Sequence, residues 1–135
     1  MVGEEIVEIA RRAYEAGTRR PKPDLETVNA LYHPDHELVT PLSRLEGTTF
    51  RGAAGFREWL TSRPDDWDSM AFEVDEARAI DDTRVLLAGT FSARSRRGGV
   101  PVEQEQGVIV TVRGGQVTRT EAYNSVAEAL SAATD

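Results

Sequence analysis

Two glycine pairs, Gly98-Gly99 and Gly114-Gly115, sit inside alternating sequence and constrain this chain more than any other feature. A two-residue loop with positive φ at both positions is the commonest hairpin connection, so each pair predicts a tight turn between antiparallel strands. Counting outward from such turns sets Arg97 opposite Val100 and Arg113 opposite Gln116. Phe91 then falls opposite Gln106, Leu87 opposite Val110, Val110 opposite Arg119, and Gln106 opposite Tyr123. Directly opposed residues share a face of the sheet. One face is therefore expected to carry Val85, Leu87, Gly89, Phe91 and Ala93, then Gln104, Gln106, Val108, Val110 and Val112, then Val117, Arg119, Glu121 and Tyr123. It is aliphatic at one end and polar and aromatic at the other, the pattern of a pocket wall with an apolar floor and a polar mouth.

With 135 residues the chain is the size of a single domain, 1–135, large enough to bury a hydrophobic core. A net charge of −7 argues against nucleic acid as a partner, which would call for a basic face. Arg94, Arg96 and Arg97, and Arg19, Arg20 and Lys22, read as solvated loop charge. No run of about 18 apolar residues is present to span a membrane, and the acidic first residues lack a signal-peptide core, so a cytoplasmic location is expected. There is no cysteine, which excludes disulfides and thiolate metal sites.

Ile6, Ile9, Ala10, Ala13 and Tyr14 recur at helical spacing, with Gly17 as the expected stop. Asp24 is suited to cap a short helix through Leu25, Val28, Leu31 and Tyr32, ended by Pro34. A strand is expected from His36 to Thr40, a loop from Pro41 to Gly52, and a third helix carrying Phe56, Trp59 and Leu60. Alternation returns at Met70, Phe72 and Val74, and Ala127 to Ala133 suits a closing helix. Helices first and strands last predict an α+β fold: helices packed in the concave face of a curved, mostly antiparallel sheet. The other sheet face, with Ala88, Ile109, Thr118, Thr120 and Ala122, is small and uncharged at its centre, which predicts a homodimer through that outer face.

The stretch LYHPDHELVTPLSRLEGTTFRGAAGFREWL, residues 31–60, resembles the SnoaL-like group of the nuclear-transport-factor-2-like cone fold. So does V-x-R-G-G-x-V-x-R near residues 112–119, followed by Tyr123. The resemblance implies a cone-shaped sheet closed by helices, a central pocket and a homodimer. It also implies polyketide-cyclase-like or isomerase-like chemistry, with an acidic group on the last strand, here near Glu121, as acid/base. Where the ketosteroid isomerases carry their base, this chain has Thr40, which cannot abstract a proton at neutral pH. Only Tyr14 matches that enzyme's oxygen-binding groups.

Arg119 and Glu121 lie two apart on one strand, with Cα atoms about 6–7 Å apart. They read either as an acid/base carboxylate tuned by a cation or as an ion pair at the pocket rim. The ion pair is favoured, since no second carboxylate is in view. Gln104 and Gln106 either hold a ligand oxygen or satisfy each other and Tyr123. His36 shares its face with Leu38 and Thr40 and is a candidate base, whereas His33 is read as structural. The expected pocket has Leu87, Val108 and Val110 as floor, Phe91, Gln104, Gln106, Arg119, Glu121 and Tyr123 as mouth, Tyr14 and Trp59 as lid, and a gap at Gly89. Its single rim arginine suits neutral or singly anionic ligands. The reading is a pocket for a hydrophobic small molecule, invoking no cofactor and no metal. It serves either a cofactor-independent cyclase or isomerase, with Glu121, His36 and Tyr14 as catalytic groups, or a non-catalytic binding domain.

Overall fold

The computed structural model describes residues 2–18, 24–52, 55, 67–95 and 101–134. In chain order it builds α1 (Val2–Thr18), α2 (Leu25–Leu31), β1 (Tyr32–Val39), α3 (Pro41–Leu45) and β2 (Phe50–Arg51). The long strands follow: β3 (Trp67–Ala79), β4 (Arg84–Ser95), β5 (Pro101–Arg113), β6 (Gln116–Tyr123), and a final helix, α4 (Val126–Thr134). The six strands form one sheet in the order β2-β1-β6-β5-β4-β3, antiparallel except for the parallel pair β1–β6. This is the expected α+β cone, with α1 laid across the concave face. Among the described residues no helix is long and apolar enough to cross a membrane.

The apolar stripe of α1 explains its seat. Ile6, Ala10, Ala13 and Tyr14 are buried against Phe72, Val85, Leu87, Val108, Val110 and Val117, while Arg11 bridges Glu8 and Glu15 on the solvent side at 2.7 and 3.1 Å. The helix passes Gly17 and ends at Thr18, whose hydroxyl donates to the Tyr14 carbonyl at 2.8 Å. Asp24 caps α2 as expected, accepting from the Thr27 N–H at 3.2 Å. β1 opens at Tyr32 rather than His36, because Tyr32 is already extended, with φ −95° and ψ 134°. The segment read as a loop holds α3: Pro41 takes the first helical position, and Thr40 and Ser43 exchange side-chain-to-backbone hydrogen bonds at 2.8 and 3.0 Å. The third helix expected through Phe56, Trp59 and Leu60 lies outside the described residues.

The two hairpins depart from their expected registers differently, and the difference decides the site. Phe91 pairs with Gln104 and Leu87 with Val108, a slip of two residues. Because the side-chain period of a strand is two, every facing on β4 and β5 survives. The turn itself, with Gly98-Gly99, lies outside the described residues. At the second hairpin Gly114 and Gly115 have φ 60° and 80°, and Arg113 does pair with Gln116. The register then breaks: Val112 pairs with Val117 but Thr111 with Arg119, so Thr118 is an extra residue on β6. A one-residue slip turns every later side chain over. Thr120 and Ala122 enter the concave core, 1% and 2% exposed, while Arg119, Glu121 and Tyr123 join Thr111, Ile109 and Gly107 on the convex face.

That convex face is partly closed by α4, where Ala129 packs with Leu86 and Ile109. Three of the residues expected on the outer face are placed otherwise: Ile109 lies under α4, and Thr120 and Ala122 point into the concave core. α4 can approach only because β5 has Gly107 there. A Cβ at that position would stand 2.7 Å from the Ser125 carbonyl oxygen, 2.8 Å from Val126 Cα and 2.9 Å from Ala129 Cβ. Two of these atoms are backbone, so no side-chain rotation relieves the overlap. Gly107→Val is expected to lift α4 and cost about 2–3 kcal/mol, read as a fall in urea midpoint. An unchanged midpoint would mean α4 does not dock on β5.

Candidate functional site

Among the described residues, polar side chains gather on both sides of the sheet. On the concave side α1 brings Tyr14 over β5, and its hydroxyl donates to Gln106 Oε1 at 3.0 Å. The Tyr14 ring meets Phe72 of β3 edge-on, with centroids 5.0 Å apart and planes at 89°. Burial in this apolar surround pushes the Tyr14 hydroxyl above its ordinary pKa, so it stays a proton donor at any physiological pH. Phe91 and Val108 complete the apolar surround, Val108 fully buried and Phe91 partly. Gln104 lies further along β5, exposed, its amide donating to Asn124 Oδ1 at 3.2 Å.

His36 is the second polar group of the concave side. It is 2% exposed, and its Nε2 lies 2.9 Å from Thr120 Oγ1. Tyr32 closes over it edge-on at 4.6 Å, and the Tyr32 hydroxyl donates to the Ala13 carbonyl at 3.0 Å, tying β1 to α1. Burial pulls the His36 imidazole down to about 3, so it is neutral at physiological pH and a weak proton acceptor. Thr120 was not foreseen. Its signal is parity: Val117 and Ala122 are both apolar but at odd and even positions, so both can face the concave core only if a residue is bulged out between them.

On the convex side the charges form a chain. Glu37 of β1 accepts from Arg119 at 2.5 Å and from Arg51 at 2.9 Å. Arg119 Nε reaches Glu121 at 3.3 Å, and the Tyr123 hydroxyl donates to Glu121 Oε2 at 3.3 Å. Arg44 lies over the Tyr123 ring at 4.1 Å and donates to the Ala122 carbonyl at 3.1 Å. The Tyr123 hydroxyl is raised above its ordinary pKa, first by partial burial and then by Glu121. Sequence reasoning paired Arg119 with Glu121 correctly but missed Glu37, Arg51 and Arg44, which come from elements far along the chain. The structure thus gathers Tyr14, Gln106, Phe91, Val108 and His36 on the concave side. It separates Arg119, Glu121 and Tyr123 from them by the thickness of the sheet, correcting their place at the pocket mouth.

The expected gap at Gly89 is not there. A Cβ on Gly89 would stand 2.2 Å from the Glu73 carbonyl oxygen and 3.0 Å from Phe72 Cζ. Glycine is required by the close approach of β3, not by an open wall. Trp59, the expected lid, lies outside the described residues. A surface cleft of about 400 Å³ between α1 and α2 reaches Phe72, the ring that meets Tyr14. A second, about 380 Å³, lies at the far end between Ile6, Ile9, Asp82 and Arg113. Among the described residues no cluster of side chains is arranged to hold a metal ion.

A helix across the concave face of this sheet defines an NTF2-like cone, and solved structures of that kind superpose on it. TerC, co-crystallised with polyporic acid, is 25% identical, with a TM-score of 0.73 over 97% of this chain and 99% of that one. An NTF2-like protein of unknown function from Burkholderia pseudomallei is 20% identical, with a TM-score of 0.73 over 94% and 95%. A candidate polyketide cyclase from Xanthomonas campestris pv. campestris is 21% identical, with a TM-score of 0.75 over 97% and 98%. The SnoaL-like domain family matches residues 10–120, and the chain belongs to that family. No curated protein sequence matches it.

Proposed function

We propose that this protein binds a hydrophobic, carbonyl-bearing small molecule against the concave face, with Tyr14 and Gln106 as its polar anchor and Phe91 and Val108 as its apolar wall. The observation that carries the reading is the Tyr14–Gln106 hydrogen bond, set in a face that is otherwise aliphatic and aromatic. Pockets for small organic molecules have this composition: mostly apolar, with a few convergent polar groups. Gln106 accepts from Tyr14 through Oε1, and its amide N–H groups make no hydrogen bond among the described residues, so they suit a ligand oxygen. TerC, a quarter identical over nearly its whole length, was co-crystallised with polyporic acid, which supports a ligand-binding reading of this chain.

The alternative is a cofactor-independent cyclase or isomerase at the same place. Tyr14 favours it, because a hydroxyl kept protonated by burial can stabilise an oxygen that becomes negative in the transition state. Against it stands the proton acceptor. Glu121 is on the convex side, paired with Arg119, and His36 is a weak base. Binding is therefore the better-supported reading. It includes a cytoplasmic location and a homodimer through the part of the outer sheet face that α4 leaves uncovered.

Calorimetric titration with 2-acetylnaphthalene, a neutral aromatic ketone, tests the site. Tyr14→Phe removes one hydrogen-bonding group and is expected to weaken binding about tenfold. Glu121→Gln is expected to leave affinity unchanged, because its side chain lies across the sheet. Equal affinity for Tyr14→Phe and the parent protein, or loss of binding in Glu121→Gln, would move the site elsewhere.

A further inference from the structure

The bulge at Thr118 decides which β6 side chains face the inside of the cone. In an unbroken register Arg119 and Glu121 would line the concave face. With Thr118 extra, that face receives Thr120 and Ala122 instead, and the two charges are spent on Glu37 and on each other outside. What remains inside is a set of neutral dipoles: the Tyr14 hydroxyl, the Gln106 amide, the Thr120 hydroxyl and the His36 imidazole. Along β4, β5 and β6 the concave-facing positions among the described residues carry no Lys, Arg, Asp or Glu. Burial keeps Tyr14 protonated and His36 unprotonated, so neither supplies a charge.

We infer that the concave site selects ligands that are uncharged where they meet Tyr14 and Gln106: aromatic ketones, quinones or alcohols, in preference to carboxylates, phosphates or amines. The inference rests on the binding reading above and sharpens it. A ligand carboxylate brought against these dipoles would leave water without gaining a countercharge, and an uncompensated buried charge costs several kcal/mol. A ketone oxygen would lose only hydrogen bonds that the Gln106 amide replaces. Arg119, expected at the rim to admit singly anionic ligands, is on the other side of the sheet, so that tolerance goes with it. Thr118 is in this sense a specificity residue that touches no ligand, since its insertion keeps the charges out.

The test compares 2-acetylnaphthalene with 2-naphthoate, two probes with the same ring body and different charge, by calorimetry at pH 7 on the full chain. The ketone is expected to bind at least about tenfold more tightly. Naphthoate binding as tightly as the ketone, or more tightly, would overturn the charge selection while leaving the binding reading intact. Binding by neither probe would overturn both. Gln106→Glu, at a half-exposed position, supplies an independent arm. It is expected to bind 2-(aminomethyl)naphthalene in its ammonium form more tightly than the parent does, and to weaken naphthoate further. An unchanged response to both charged probes would show that position 106 is not where the ligand's polar atom sits.

Discussion

Gly89→Ala is expected to be among the most damaging single-methyl changes this chain can receive, lowering stability by about 3 kcal/mol. The added carbon would lie 2.2 Å from the Glu73 carbonyl oxygen, far inside van der Waals contact, with the Glu73 carbonyl carbon at 3.1 Å and Phe72 Cζ at 3.0 Å. Phe72 could yield by moving its ring, but the Glu73 carbonyl belongs to the strand and cannot rotate away. β3 is also bulged between Val74 and Glu76, one residue beyond this contact. That bulge lets Phe72, Val74 and Ala77 all pack on the concave core. Relief would require parting β3 from β4 where Phe72 supports Tyr14, so the damage should reach the proposed ligand site as well. Urea unfolding followed by circular dichroism checks this. A variant as stable as the parent would show that the strands do not approach so closely.

Gly89 also shows how far the sequence could be read. Its place on the concave face, between Leu87 and Phe91, follows from alternation alone and is correct. Its purpose does not, because the atom it makes room for comes from Glu73, and the bulge between Val74 and Glu76 hides which β3 residue lies beside it even though Asp81-Asp82 marks the turn. The same division runs through the molecule. Tyr14, Phe91, Val108 and Gln106 were legible because the stripe of α1 and the alternation of β4 and β5 orient them. A register error of two residues left those orientations untouched. Arg119, Glu121 and Tyr123 were not, because a single bulged threonine turns them over, and threonine is as much at home in a strand as in a bulge. The mismatched parity of Val117 and Ala122 was the available warning. α3 carried a local signal too, Thr40-Pro41-Leu42-Ser43, in which a hydroxyl residue precedes proline and another follows two residues later. The environment of His36 was beyond sequence reasoning, since Thr120 and Tyr32 reach it only through the parallel β1–β6 pairing and the irregular start of β1.

That environment makes the protein sensitive to mild acid in a predictable direction. In the unfolded chain the His36 imidazole titrates near 6.5; in the folded chain burial has pulled it down to about 3. Between those values the unfolded state binds a proton that the folded state does not, so stability rises with pH there. The contribution is fully present above about pH 6.5 and is lost progressively as pH falls toward 3, amounting to about 2 kcal/mol between pH 7 and 5. Two groups that face the ring among the described residues do not offset this: Thr120 does not titrate, and burial pushes the Tyr32 hydroxyl further up, away from this range. Asp81, held down to about 2 by the Thr83 backbone N–H and by Arg84, adds acid sensitivity only below about pH 4. Replacing His36 with Gln keeps a group able to hydrogen-bond Thr120 and removes the titration. Urea unfolding at pH 7, 6 and 5 should therefore show the parent losing about 2 kcal/mol that His36→Gln retains. Parallel losses in both proteins would mean that the imidazole is protonated in the fold. It would then be a cation inside the cone, and the neutral character assigned to the concave site would fall with it. If His36 is neutral throughout, ligand affinity should be flat from pH 5 to 8 even as stability slopes. Binding and folding would then respond differently to the same residue.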